Sequence, residues 1–424
     1  MSVIEGTLRD EARAWMAENW NTDQTLGEWW HKLAASGFAF PQLPEGYGGR
    51  GLPQSAARIV AEEMGRVGAV APPGGLGQSM GAPIIMDFGT EQQQKDWVFR
   101  LSAGQESWCQ FFSEPEAGSD LAGLQTRAVR DGDVWILNGQ KVWTSGARTA
   151  DRGMMVARTN PDVPKHKGLS YFIIDVDAPG IEIRPLKQMN GQAHFNEVFF
   201  TDVVVPHDRI VAEPNGGWMV AVATLAYERQ GQGGRGGGGG IMAGSPGVKN
   251  GDIDRPLSEL IQQARAEGEQ AANDRNKRTA GAIVQLAKDE KRTADPMMRQ
   301  RIMSMYSESE ALKHSNGRAR AAAQKGKQPG PEVSTAKLTM SSLSRQARDI
   351  SLELMGPYGM LADDDAPYDG AFHTMALSVQ SASIAGGTDE VQRNITGERV
   401  LQLPKEPQVD RDIPFNEIRG LNKR

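Results

Sequence analysis

Two short stretches carry residue types that can hold a polar ligand without adding charge. Ser113-Glu114-Pro115-Glu116-Ala117-Gly118-Ser119-Asp120 and Trp143-Thr144-Ser145-Gly146 both set hydroxyls beside small residues. Turns of this kind offer backbone N–H groups and side-chain hydroxyls. A third stretch, Gly386-Gly387-Thr388-Asp389-Glu390-Val391-Gln392, places two glycines ahead of a helical pattern. Glycine lets backbone approach a ligand closely, and acidic residues in a first turn suit the helix dipole. A fourth, Tyr227-Glu228-Arg229, ends an apolar stripe of Trp218, Ala221, Val222 and Leu225. Helical phase puts Glu228 at the edge of that stripe. A carboxylate there is partly desolvated, which raises its pKa and makes it a better base near neutrality. A Glu-Arg ion pair on a helix margin explains the same residues, and the sequence pattern alone does not choose.

The elements around these stretches fall into three blocks. From 1 to 105 the pattern is helical: Leu8, Ala12, Trp15 and Met16 recur at helical spacing, as do Leu26, Trp29, Trp30 and Leu33 before Ser36-Gly37. Ala56–Arg66 and Glu91–Leu101 read as further helices, the latter capped by Thr90. The tryptophans here read as core. From 106 to 213 the pattern turns to strands, with Asp131-Gly132-Asp133 and Asn138-Gly139 as punctuation and apolar runs such as Leu169–Ile174. From 214 to 404 helices return near 256–288, 296–325, 331–355 and 388–401. The glycine run at 231–240 breaks the first of them, because glycine costs about 1 kcal/mol per helical residue relative to alanine, and 243–255 follows as loop. Residues 405–424 form a tail, and the basic cluster Arg318–Lys327 is a solvated helix end.

With 424 residues, 39% hydrophobic and 24% charged, the chain is long enough for two or three domains of globular class. A net charge of −6 argues against general nucleic-acid affinity. The single cysteine, Cys109, excludes an internal disulfide framework and suits a reducing, cytoplasmic setting; Trp108 and Phe111 beside it predict a plain buried thiol. No signal-peptide pattern and no apolar run long enough for a membrane span is evident. The six histidines are scattered, none at metal-ligand spacing, so no catalytic metal is expected.

Taken together, the Ser113–Asp120, Trp143–Gly146 and Ile384–Ile395 stretches, with Glu398-Arg399-Val400-Leu401-Gln402-Leu403-Pro404, resemble the FAD-dependent acyl-CoA dehydrogenase family. The resemblance runs from Phe38 to Pro404. It implies an α+β fold with an N-terminal helical domain, a middle antiparallel β-domain and a C-terminal helical bundle. It implies oxidoreductase chemistry on a CH–CH bond, of the kind used in fatty-acid β-oxidation: an acyl-CoA becomes a trans-2-enoyl-CoA and an electron-transfer flavoprotein takes the electrons. No side chain accepts hydride, so a cofactor must, and FAD is the one implied.

Residue by residue, the resemblance sets Phe112 and Ser113 along the flavin ring. Gly118 and Ser119 fall near a pyrophosphate or the CoA part of the substrate. Trp143 packs on the flavin, and Ser145 donates to its hydride-accepting nitrogen. Thr388 and Gln392 contact FAD, and Gly356 to Gly359 meet its adenosine half from a neighbouring subunit. Many members carry the catalytic glutamate at the position of Gly386; others carry it in a Glu-Arg pair on an earlier helix, which here is Glu228-Arg229, with Arg229 beside the substrate. Members are usually tetramers, so a homo-oligomer is expected. One departure stands out. The family's Arg-x-x-Phe-Gly-Arg stretch has no counterpart in Lys288–Arg301, and Arg292 is not assigned its role. That departure keeps open a non-catalytic partner subunit of a mixed oligomer. A DNA-associated flavoprotein and an oxidase are further alternatives. The acyl chain is unreadable.

Overall fold

The structure is a computed structural model that describes residues 3–233, 240–276, 280–324, 333–362 and 365–418. The chain divides into two compact units. One comprises Met1–Lys187, Ala193–Arg265 and Gln408–Arg424, the other Gln188–Gln192 and Ala266–Pro407.

The first unit opens with helices α1 Val3–Asn19, α2 Leu26–Ala35, α3 Ser55–Val67, α4 Ala82–Phe88 and α5 Glu91–Ser102. Thr90 caps α5 in a capping box with Gln93, and Thr25 does the same for α2 with Glu28. The tryptophans are core, as expected: Trp29 and Trp30 are buried, and their indole N–H groups donate to the Val70 and Ala71 carbonyls at 2.8 and 2.9 Å. The sequence pattern marks no helix between Arg66 and Glu91, yet a π-helical turn at Gly77–Gly81 runs into α4. Tertiary packing decides this. A Cβ at Gly77 or Gly81 would stand 2.7 Å from Leu101 or Trp108, so only glycine lets this turn lie against them.

Eight strands follow: β1 Trp108–Phe111, β2 Arg127–Asp131, β3 Val134–Ser145, β4 Arg152–Arg158, β5 Leu169–Asp175, β6 Ile181–Leu186, β7 Phe195–Pro206 and β8 Ile210–Val211. They lie in the order β6-β7-β3-β2-β4-β5-β8, with β1 also paired to β4. The pairings are antiparallel except β1–β4 and the short β2–β4 contact. The continuous apolar runs of β4 and β5 arise because both faces are buried. Met154, Val156, Tyr171 and Ile173 join the core shared with α4, α5 and α6, while Met155, Ala157, Phe172 and Ile174 join the core on the other face. Asn138-Gly139 is no strand end. β3 runs through it opposite a bulge in β7, and only glycine fits at 139, because a Cβ there would meet Thr126 Oγ1 at 2.4 Å.

Helix α6, Gly217–Gly233, continues further into the glycine run than its composition predicts, and 234–239 lie outside the described residues. Helix α7, Leu257–Asn276, begins in the first unit. The second unit holds its remainder with α8 Ala280–Asp289, α9 Pro296–Gln324, α10 Val333–Met355, α11 Ala371–Ser378, α12 Gln380–Ile384 and α13 Asp389–Ile395. Ile283, Met298, Ile302, Leu354, Phe372 and Met375 form its core. Among the described residues, Arg318 is exposed at the end of α9, no helix is long and apolar enough to cross a membrane, and no group of three or more His, Cys, Asp or Glu could hold a metal. Cys109 is buried, and burial pushes its thiol pKa up.

Candidate active site

Ser113 and Trp143 are brought together by two residues that the motif reading passes over. Lys141, fully buried in β3, donates to the Phe112 carbonyl at 3.0 Å, to Glu114 Oε1 at 2.8 Å and to the Val156 carbonyl at 2.9 Å. Glu114 also accepts from the backbone N–H groups of Gln125 and Thr126 at 2.6 and 3.0 Å. Burial opposes both charges. For Glu114 the ammonium and the amide donors outweigh it and hold the carboxyl below its ordinary range; Lys141 stays below the ordinary lysine value because burial dominates. One strand step on, the Val142 N–H donates to the Ser113 carbonyl at 2.9 Å. The first motif is therefore buttoned onto β3 immediately before Trp143. A signal for Lys141 did exist: Trp135, Leu137 and Lys141 share the inward phase of the strand.

Trp143 then breaks the strand pattern. It sits in the β3 bulge between Lys141 and Thr144 at φ +61°, with 60% of its surface exposed and its ring edge-to-face with Phe195. A bulky residue held left-handed costs about 1–3 kcal/mol and persists only where its surroundings impose it. Ser145, next along, is exposed, and Ser113 is half-buried. Beneath them Thr144 Oγ1 and Asn196 Oδ1 are buried without partners. An exposed indole plane flanked by hydroxyls and spare acceptors fits a flat aromatic group with polar edges, as a flavin ring is. Gly118 and Ser119 are exposed in the loop that ends at Asp120, whose carboxylate accepts from Lys165 Nζ at 2.9 Å.

A buried relay joins this surface to the helix that carries Glu228. The Phe112 ring lies edge-to-face on Tyr171, 5.9 Å between centroids. The Tyr171 hydroxyl lies 3.2 Å from Thr224 Oγ1 on α6. Thr224 continues the buried face of Gly217, Val220 and Ala221, and Glu228 is one turn further on, half-buried. The same turn is tied to α4 by Tyr227, whose hydroxyl donates to Asp87 Oδ2 at 2.7 Å. Burial and that carboxylate push the Tyr227 phenol up to about 12. The side chain of Arg229 lies outside the described residues.

In the second unit, Gly386 and Gly387 adopt φ +65° and +84°. With glycine at 386 no carboxylate stands there, and a side chain held in this backbone conformation would be strained. Thr388 caps α13 by accepting from the Val391 N–H. Gln392 is buried, and its amide donates to the Gly386 carbonyl at 2.9 Å, so it first of all closes its own loop. Asp389 does more than complement the helix dipole. It is buried and accepts from Lys337 at 3.1 Å and Arg345 at 2.8 Å. Burial alone would raise its pKa, but hydrogen bonds from Arg345, Lys337 and Ser341 outweigh it and hold the carboxyl well below the usual range. Gly356 leaves α10 at φ +55° into an exposed turn with Pro357 and Tyr358, and Gly359 is buried against Leu352. Arg292 pairs with Asp295 at 3.2 Å.

Comparison with known proteins bears on all three blocks. Residues 3–105, 109–203 and 275–401 match the acyl-CoA dehydrogenase N-terminal, middle and C-terminal domains. Acyl-CoA dehydrogenase IpdE1 of Mycobacterium tuberculosis is 36% identical over 378 residues, covering 89% of this chain and 88% of the relative. Acyl-CoA dehydrogenase FadE34 of the same organism is 36% identical over 88% of this chain, and the match spans 46% of that longer protein. Among solved structures, the Tcur3481-Tcur3483 steroid ACAD is similar at TM-score 0.66 and 25% identity, over 96% of this chain and 99% of that one. The ChsE4-ChsE5 complex from Mycobacterium tuberculosis is similar at TM-score 0.63 and 26% identity, over 96% of this chain and 99% of that one.

Proposed function

The chain belongs to the acyl-CoA dehydrogenase family of FAD-dependent oxidoreductases, and on that premise we propose that Glu228 is its catalytic base, acting on an acyl-CoA thioester held against the Ser113–Trp143 surface. One observation carries the assignment: Glu228 extends the buried face of α6 one turn past Thr224, whose hydroxyl meets Tyr171 and, through it, Phe112. The left-handed Gly386 leaves no carboxylate at the alternative position.

FAD, when bound, supplies the two-electron acceptor that no side chain provides. The chain's own residues do the rest. The Glu228 carboxylate takes the proton from the carbon next to the thioester carbonyl. Backbone N–H donors hold the thioester oxygen as negative charge develops on it. Trp143 would offer an aromatic face to the cofactor's ring, and the hydroxyls of Ser113 and Ser145 would donate to its polar edge. Gly118 and Ser119 receive a pyrophosphate. As the resemblance implies, Thr388 and Gln392 would contact the cofactor, and Gly356 and Gly359 would meet its adenosine half from a neighbouring subunit. The product is a trans-2-enoyl-CoA, and the electrons leave to an electron-transfer flavoprotein.

For the acyl group, likeness to a structure titled a steroid ACAD favours a ring-bearing, steroid-derived chain over a short linear one. Anaerobic titration of the flavin-loaded protein with linear, branched and steroid-side-chain thioesters tests this. The expected result is bleaching of the flavin band by the ring-bearing thioester first; bleaching by short linear thioesters alone would overturn it. A second reading concerns assembly. Both similar structures carry two-component titles, and the Phe-Gly stretch is missing here. Together these favour a mixed oligomer with a second, related chain over a homotetramer.

A further inference from the structure

The end of the chain folds back on the first unit, beside the loop that carries Ser119. Pro414 bridges Pro164, the Phe415 N–H donates to the Val163 carbonyl at 2.9 Å and the Asn416 N–H to that of Pro161 at 3.0 Å. The Asn416 side-chain amide donates to Asp162 at 2.6 Å. Phe415 is 4% exposed, and the Arg158 guanidinium lies over its ring, 3.4 Å from the centroid. Arg158 is itself buried and donates to the carbonyls of Ala122 at 2.6 Å, Lys165 at 3.1 Å and Leu124 at 3.3 Å. The tail thus grips the residues that follow Asp120. A second grip is more direct. Lys165 Nζ, in a side chain only 10% exposed, lies 2.9 Å from Asp120 Oδ2 and 2.7 Å from Asp410 Oδ2.

Charge decides what this arrangement can do. Lys165 and the neighbouring Arg158 guanidinium are balanced by Asp120 and Asp410, so the cluster has no positive excess and is no lure for an anion. Its effect is geometric: it fixes where Asp120 sits, and Gly118 and Ser119 precede Asp120 in an exposed loop. We infer that the C-terminal tail is a positioning strap, which through Asp410–Lys165–Asp120 and Phe415–Arg158 holds the Gly118–Asp120 loop in place to receive a pyrophosphate. The inference rests on the reading of Ser119 given above. Both FAD and coenzyme A carry a pyrophosphate, and the test separates them.

The experiment uses the full-length, flavin-loaded protein as wild type, Asp410→Asn, Asp410→Glu, Phe415→Ala and Ser119→Ala. Coenzyme A binding is measured by calorimetry, FAD dissociation by flavin fluorescence on dilution, and melting in parallel. The expected result is that Asp410→Asn weakens one of the two ligands about ten-fold, roughly the worth of one charge-assisted hydrogen bond. Asp410→Glu should restore it, and Phe415→Ala, which removes no charge, should weaken the same ligand. Loss confined to coenzyme A assigns the loop to the substrate; loss confined to FAD assigns it to the cofactor. If Ser119→Ala weakens a ligand while Asp410→Asn and Phe415→Ala leave it within about two-fold, the loop binds but the tail does not place it, and the inference falls. Equal loss in Asp410→Asn and Asp410→Glu, matched by a fall in melting temperature, makes the tail a stability element only and also overturns it. If Ser119→Ala is inert toward both ligands, the loop reading itself fails and the strap fails with it; that pattern is distinct from the other two.

Discussion

At the scale of single residues, the Ser113–Trp143 surface rests on charges buried behind it. Lys141 is fully enclosed and spends its three donors on Phe112, Glu114 and Val156. Lys141→Met should leave the Glu114 carboxylate buried without its cation and cost about 3–5 kcal/mol, measured by urea unfolding; a cost below about 1 kcal/mol would show that the pair is idle. Asp389 makes a pH-dependent case. Its folded pKa lies below its unfolded one, so its contribution is complete above the unfolded value of about 3.9 and is lost as pH falls toward the folded value. The melting-temperature gap between wild type and Asp389→Asn should therefore be flat from about pH 5 to 7 and narrow below about pH 4. A gap that widens in acid would refute this. Asp389 also shows where sequence reasoning stops short. Its place in a first turn explains an acidic residue, but nothing local announces Lys337 and Arg345, which come from α10.

At the scale of elements, what was legible followed from local rules. The Thr90 cap of α5 and the apolar run of β5 stand in residue order, whereas Val222, read into the α6 stripe, is exposed and the polar Thr224 is buried on that helix. Thr90→Ala should cost about 1 kcal/mol by loss of the cap, read as a shift in the unfolding midpoint without a change in slope. What was not legible depended on a partner distant in sequence. The π-helical turn at Gly77–Gly81 exists because Leu101 and Trp108 leave no room for side chains. Glycine stands at 139 because Thr126 leaves no room for a side chain, and β3 pairs with β7 on both sides of it, so an Asn-Gly pair that reads as a turn became a strand interior. The left-handed Trp143 belongs to the same class: its backbone conformation depends on the pairing of β3 with β7.

At the scale of the whole molecule, the chain leaves the first unit after Arg265 and returns to it at Gln408. The tail read as a bare terminus in the sequence because Phe415 and Asp410 gain meaning only beside Arg158 and Lys165. Family membership, by contrast, was legible from motifs spread across the chain. Assembly is the property to test at this scale. A tagged copy expressed with its neighbouring reading frames should retain a second, related chain at equal stoichiometry. A pure, fully active oligomer of this chain alone would contradict the mixed-oligomer reading.

The role of Glu228 is tested most directly by rapid mixing of the flavin-loaded Glu228→Gln variant with a thioester that bleaches the wild type, with ligand affinity measured alongside. Removal of a general base predicts a bleaching rate lower by about 10²–10⁴-fold with affinity retained. Bleaching within about three-fold of wild type, well inside that range, would contradict the assignment and return Glu228 to a structural ion pair on the margin of α6.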